Sequence, residues 1–90
     1  MAIGMIFSGR GLTQEQYEHV SRQVSPDNHA APGLLYHAAG PSDGGFCVVE
    51  VWESQEALDR FFAEKLGHAM QQANITAQPT FFHVANTMQP

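Results

Sequence analysis

Two side chains in this sequence are suited to moving protons near neutral pH, His37 and Glu50. An imidazole exchanges protons in the physiological range and serves as a general acid or base. A carboxylate beside it orients the ring or acts as the base itself, particularly where burial raises its proton affinity. Both residues also have a purely structural reading. His37 would then bond a backbone group at a subunit seam, with Glu50 paired to a basic side chain across it, since structural pairs perturb such groups too.

Which reading applies depends on the strands that carry them. Residues 33–40 and 45–53 read as two strands joined by Pro41-Ser42-Asp43-Gly44, a turn-rich hairpin link. Pairing Gly40 with Gly45 puts His37 opposite Val48 and Leu35 opposite Glu50. One face then carries Leu35, His37, Phe46, Val48, Glu50 and Trp52, and the other Leu34, Tyr36, Cys47, Val49 and Val51. The second set is almost wholly apolar and suits the helices. The first mixes aromatic surface with one imidazole and one carboxylate, the makeup of a ligand pocket. Trp52, Phe46, Val48, Tyr36 and His83 are the candidate substrate contacts around His37 and Glu50. If His83 shares their face, two imidazoles and a carboxylate would match a mononuclear iron ligand set. Nothing at fixed spacing ties the three together, so no metal is assigned. Cys47 reads as a small buried hydrophobe with nothing basic placed to activate it. His19, His29 and His68 read as solvated, and Gly9-Arg10-Gly11 is too short for a phosphate loop.

Around these strands the remaining elements are well marked. Ala2–Ser8 is an apolar strand leaving into the Ser8-Gly9-Arg10-Gly11 loop. Thr13 and Gln16 form a capping box, with Leu12 and Tyr17 placed for a hydrophobic staple, and Tyr17, Val20 and Val24 continue at helical spacing. Ser54 caps a second helix whose stripe is Leu58, Phe61, Phe62, Leu66, Ala69, Met70 and Ala73. Gly67 interrupts that stripe and predicts a kink or break, and Asn74 is a suitable C-cap. Residues 80–86 form the last strand. Strand–helix–strand twice over is the split βαβ, ferredoxin-like pattern: α+β, with a four-stranded antiparallel sheet and two helices on one face.

The chain has 90 residues, a formal charge of −5 and a single cysteine. This fits one domain over 1–90 whose own core is marginal, with no intrachain disulfide or zinc spacing to reinforce it. Four basic residues against nine acidic ones argue against nucleic acid or anionic membrane as a partner. No apolar run approaches a membrane span, and the first residues lack the pattern of a signal peptide, so a cytoplasmic location is expected. Oligomerisation is the remaining source of stability, and the sheet agrees. Two helices cover one face, yet Phe81 and Phe82 are adjacent and Cys47, Val49 and Val51 alternate with Phe46, Val48 and Trp52, so both faces are apolar. A homodimer with its sheets face to face is the expected arrangement.

The stretch Val49-Glu50-Val51-Trp52-Glu53-Ser54-Gln55-Glu56-Ala57-Leu58-Asp59-Arg60-Phe61 resembles the dimeric α+β barrel superfamily, in particular its antibiotic-biosynthesis-monooxygenase-like members. The resemblance spans 33–66 most clearly. It implies a ferredoxin-like protomer, a barrel-forming dimer, and a small pocket between sheet and helices. Members include cofactor-free monooxygenases of aromatic polyketides, isomerases, cyclases and haem-degrading enzymes. In the cofactor-free oxygenases a tryptophan on this strand lines the pocket, and Trp52 is the matching position. An asparagine is expected where this chain has Val48, a departure from the oxygenase pattern. Two functions follow as expectations. One is a small-molecule enzyme without an organic cofactor, carrying out oxygenation, isomerisation or cyclisation of a small aromatic or polyketide-like substrate. The other is a non-catalytic ligand-binding or stress-related dimeric barrel.

Overall fold

A short apolar run bounded by a turn-rich loop makes a strand covered on both faces, and β1 (Ile3–Phe7) is one, with only Ile6 partly exposed. Ile3, Met5 and Phe7 are buried beneath the helices. The computed structural model describes residues 1–8 and 11–90, so Gly9 and Arg10 of the expected first loop lie outside the described residues. The order continues with α1 (Gln14–Val24), β2 (Leu34–Ser42), β3 (Gly45–Trp52), α2 (Gln55–Phe61), a π-helical turn (Phe62–Leu66), α3 (Gly67–Gln72) and β4 (Thr80–His83). The strands form one antiparallel sheet in the order β2-β3-β1-β4, the ferredoxin-like arrangement. No helix among the described residues is long and apolar enough to cross a membrane.

The caps are those the sequence signals. Thr13 Oγ1 accepts from the Gln16 amide while Gln16 Oε1 accepts from the Thr13 amide, closing the capping box of α1. The Gln16 side-chain amide also donates to the carbonyls of Ala73 and Asn74, tying the start of α1 to the end of α3. Ser54 caps α2 through the Ala57 amide. Asn74 takes the left-handed conformation (φ 58°), and the Asn74 and Ile75 amides return to Gln71 and Met70, a Schellman stop.

Gly67 does not break the second helix. Its backbone stays helical and its amide bonds back to Phe62, so the irregularity is a π turn inside one continuous helical run. The Phe62 ring and carbonyl lie 3.1 Å from where a Cβ at Gly67 would sit, which accounts for a glycine there.

The β2–β3 hairpin closes tighter than expected. Its loop is Asp43-Gly44, with Ser42 paired to Gly45 and Gly44 at φ 79°. Pro41 belongs to β2, which is an edge strand, where its missing N–H costs nothing. The pairing is therefore shifted by two residues from the expected one, with His37 opposite Glu50 and Ala39 opposite Val48. A shift of two leaves every side chain on its own face. One exception comes from a bulge between Leu34 and Tyr36. It turns Leu34 towards the helices and leaves Leu35 exposed, the reverse of their expected faces.

The assignment of helices to faces is also reversed. The helices cover the mixed set, Phe46, Val48, Glu50 and Trp52, which are all buried together with Leu12, Ala57 and Leu58. The other set, Leu34 apart, looks away from them. Apart from Leu34 and Leu35, parity sorts the faces as expected, but the pocket-like face and the helix-covered face are one and the same.

Candidate functional site

A cavity of about 320 Å³ lies between the inner face of the sheet and the helices. Met5, Phe7 and Val48 form its floor, with Val20 and Val24 of α1 on one side and Phe61, Leu66 and Met70 on the other. Ile75, placed by the Schellman stop, closes one wall, and the loop from Ser25 to Ala31 another. The lining is therefore mostly apolar, as small-molecule pockets generally are. Its principal polar group stands on the β2 edge.

That group is a chain of four side chains drawn from three elements. His37 Nδ1 and Glu50 Oε2 are 2.6 Å apart, joined across directly paired positions of β2 and β3. Glu50 Oε1 accepts the indole N–H of Trp52, two residues along the same face of β3, at 3.0 Å. On the other side of the ring, His37 Nε2 lies 2.6 Å from the Tyr17 hydroxyl on α1. Tyr17 stacks on the His37 ring and tilts against Phe46, with centroids 5.9 Å and 5.0 Å away. Trp52 is fully buried and packs on Phe61. No buried side-chain polar atom among the described residues lacks a partner.

Solvent access is graded along this chain. The side chain of Glu50 is 9 % exposed and that of His37 33 %. Glu50 is held by two donors from fixed directions, so its carboxylate is tethered and His37 is aimed by it. An ionised carboxylate only accepts, so the ring donates from Nδ1. Nε2 is then an acceptor in the neutral ring and a donor in the imidazolium. A phenol can donate and accept, so Tyr17 can follow either state. Burial, followed by the nearby Glu50 carboxylate, pushes the Tyr17 phenol above its ordinary range, while a hydrogen bond with Ser21 pulls the other way. The phenol is therefore protonated at neutral pH.

The candidate residues separate into three groups. His37, Glu50 and Val48 line the cavity. Phe46 and Trp52 stand behind it, Phe46 under the Tyr17 ring and Trp52 under Glu50, so neither indole nor phenyl is a cavity wall. Tyr36 and His83 are corrections. Tyr36 pairs with Val51 on the opposite face of the sheet and is 57 % exposed. His83 does have the inward parity, opposite Ile3, but β4 is the other edge of the sheet. Three strand spacings, about 14 Å, separate it from β2, so the two-histidine, one-carboxylate set is not assembled. Among the described residues no cluster of His, Cys, Asp or Glu is arranged to hold a metal ion. In the sequence Tyr17 stands out only as a staple and stripe residue. The available signal was its phenol on the buried stripe of a helix, a hydroxyl in need of a partner.

No family model matches this chain, and no curated protein is similar to it at a significant level. Solved structures are similar over nearly its whole length. SnoaB, a cofactor-independent oxygenase from Streptomyces nogalater, is 21% identical with a TM-score of 0.62, over 99% of this chain and 96% of that one. A candidate antibiotic biosynthesis monooxygenase from Chloroflexus aurantiacus is 14% identical with a TM-score of 0.69, over 99% and 98%. Rv0793 from Mycobacterium tuberculosis is 18% identical with a TM-score of 0.67, over 98% and 97%. At these identities the likeness speaks for the fold. This chain has the ferredoxin-like α+β fold of the antibiotic-biosynthesis-monooxygenase-like proteins.

Proposed function

We propose that this protein is a small-molecule enzyme that works without an organic cofactor by abstracting a proton next to a carbonyl or phenol. Its substrate is small, largely apolar and aromatic or polyketide-like. The observation that carries this reading is the Tyr17–His37–Glu50–Trp52 chain standing at the edge of an apolar cavity of ligand size. His37 takes the proton, Glu50 stabilises the resulting imidazolium, and Trp52 holds Glu50 in place. Oxygenation, isomerisation and cyclisation all begin with this step, and the likeness to a cofactor-independent oxygenase supports the first. An open cavity beside His37 speaks against a barrel with a packed interior, and the His37–Glu50 pair at its edge favours an enzyme over a simple ligand carrier.

The active form in this reading is a cytoplasmic homodimer. The outward face presents Ile6, Tyr36, Ala38, Val49, Val51 and Phe82, with the Phe82 ring lying directly over Gly4. A contiguous apolar face of this kind is unusual on a monomer, and a second sheet laid against it is the cover proposed here.

Enolisation of a neutral aromatic β-diketone, benzoylacetone, is a direct assay because its keto and enol forms differ in ultraviolet absorbance. The wild type is expected to accelerate the interconversion above buffer, and His37→Ala to lose roughly 10²–10⁴-fold of that acceleration. A wild type no faster than buffer, or an unimpaired His37→Ala, would overturn the reading.

A further inference from the structure

The Nε2 atom through which His37 would accept a proton is already in contact with a side chain. The Tyr17 hydroxyl sits on it at 2.6 Å, and Tyr17 itself lines the cavity. Nδ1 is committed to Glu50 at the same distance, so the ring has no second basic nitrogen to offer. We infer that Tyr17 is the group that meets the substrate and that it relays the substrate's proton to His37. This inference rests on the acid–base reading of the site and assigns it a further catalytic residue.

The proton count is simple. In the resting site the phenol donates to the neutral ring at Nε2. When the substrate's acidic hydrogen reaches the phenolic oxygen, that oxygen takes it as its own proton crosses to Nε2. The substrate is left as an enolate or phenolate, His37 becomes an imidazolium beside the Glu50 carboxylate, and Tyr17 ends neutral, as it began. One proton has been transferred through two hydrogen bonds, and no electrons have changed owner. Tyr17 O–H now faces the atom that gave up the proton, and Nε2–H points back at the phenolic oxygen.

The electrostatics favour this concerted passage over a free tyrosinate. Burial and the Glu50 carboxylate both work against a negative charge on Tyr17, so the phenol gives up its proton only as it gains another. Its position is fixed by packing as well as by the hydrogen bond. The ring lies on both His37 and Phe46, on a helix whose first turn is locked by the capping box between Thr13 and Gln16. A residue held only for its ring would have no use for a hydroxyl aimed at Nε2.

Tyr17→Phe keeps the ring and removes the relay. In the benzoylacetone assay it is expected to lose at least about tenfold of the catalysed rate. The wild type is further expected to show a curved dependence of rate on deuterium fraction, from two protons in flight. Tyr17→Phe turning over at the wild-type rate, while His37→Ala does not, would overturn the relay and leave His37 as a directly acting base. A linear deuterium dependence in the wild type would also overturn it. Loss of the catalysed rate in neither variant would instead overturn the acid–base reading itself, and the relay with it.

Discussion

Glu50 is the hinge of the residue-scale account, because a carboxylate under the sheet is tolerable only with donors on its oxygens. Trp52 and His37 supply one each. Glu50→Leu therefore strands a fully buried indole N–H, and the unsatisfied donor is expected to cost about 1–3 kcal/mol, readable by urea unfolding. Glu50→Gln keeps the shape and an acceptor for Trp52, so it should retain most of the stability while losing most of the catalysed enolisation. Equal loss of both properties in Glu50→Gln would reduce the carboxylate to a structural part. Tyr17 makes a second prediction, with a definite sign. Its folded phenol is raised, so the native state keeps that proton where the unfolded chain releases it. The resulting contribution to stability is complete below the ordinary tyrosine range and is lost as pH climbs through that range to the raised value. Unfolding midpoints across the alkaline range should fall more steeply for wild type than for Tyr17→Phe; parallel curves would contradict the shift. His37 and Glu50 could be picked out from the sequence because their types carry chemistry wherever they lie. Tyr17 could not be paired with them, since a contact between α1 and an edge strand has no spacing in sequence to announce it.

At the scale of the elements, the site depends on the start of α1 and on the entry to β2. The Thr13 cap stands four residues before Tyr17. Thr13→Ala is expected to cost about 1 kcal/mol by urea unfolding, with a weaker Tyr17–His37 bond as the helix start frays. Gly33 has a left-handed backbone (φ 88°), and a Cβ there would fall 2.6 Å from that of Ala57. Its carbonyl also accepts from the Glu53 amide across β2 and β3. Gly33→Ala should therefore destabilise by roughly 1–3 kcal/mol, and a neutral result would show that the hairpin entry is more pliable than its geometry indicates. Capping signals and alternating apolar runs fixed the element order in advance because they are local. The two-residue register shift was not visible, because Pro41 looks like a strand terminator until β2 is known to be an edge. The bulge at Leu35 leaves no mark in the residue types, and the exchange of Leu34 for Leu35 on the cavity side followed from it.

For the whole molecule, parity sorted the sheet into two faces but could not say which one the helices would take. A set of small and branched residues looked like the natural helix seat, whereas the helices pack on the larger Phe46 and Trp52 and leave a cavity beside His37. That leaves Tyr36, Val49, Val51 and Phe82 outward as the proposed subunit seam. Val49→Lys places a charge in the middle of this face and is expected to convert a sedimenting dimer into a monomer; wild type sedimenting as a monomer at micromolar concentration would remove the seam. The central claim, however, concerns the cavity, where the His37 chain should take a proton from a neutral aromatic acid. Binding of 4-nitrophenol, followed by absorbance at a pH below its own ionisation, tests it most directly. The account predicts a phenolate band on saturation with wild type and bound phenol alone with His37→Ala. A probe that stays protonated on wild type, or the same phenolate band without His37, would contradict it.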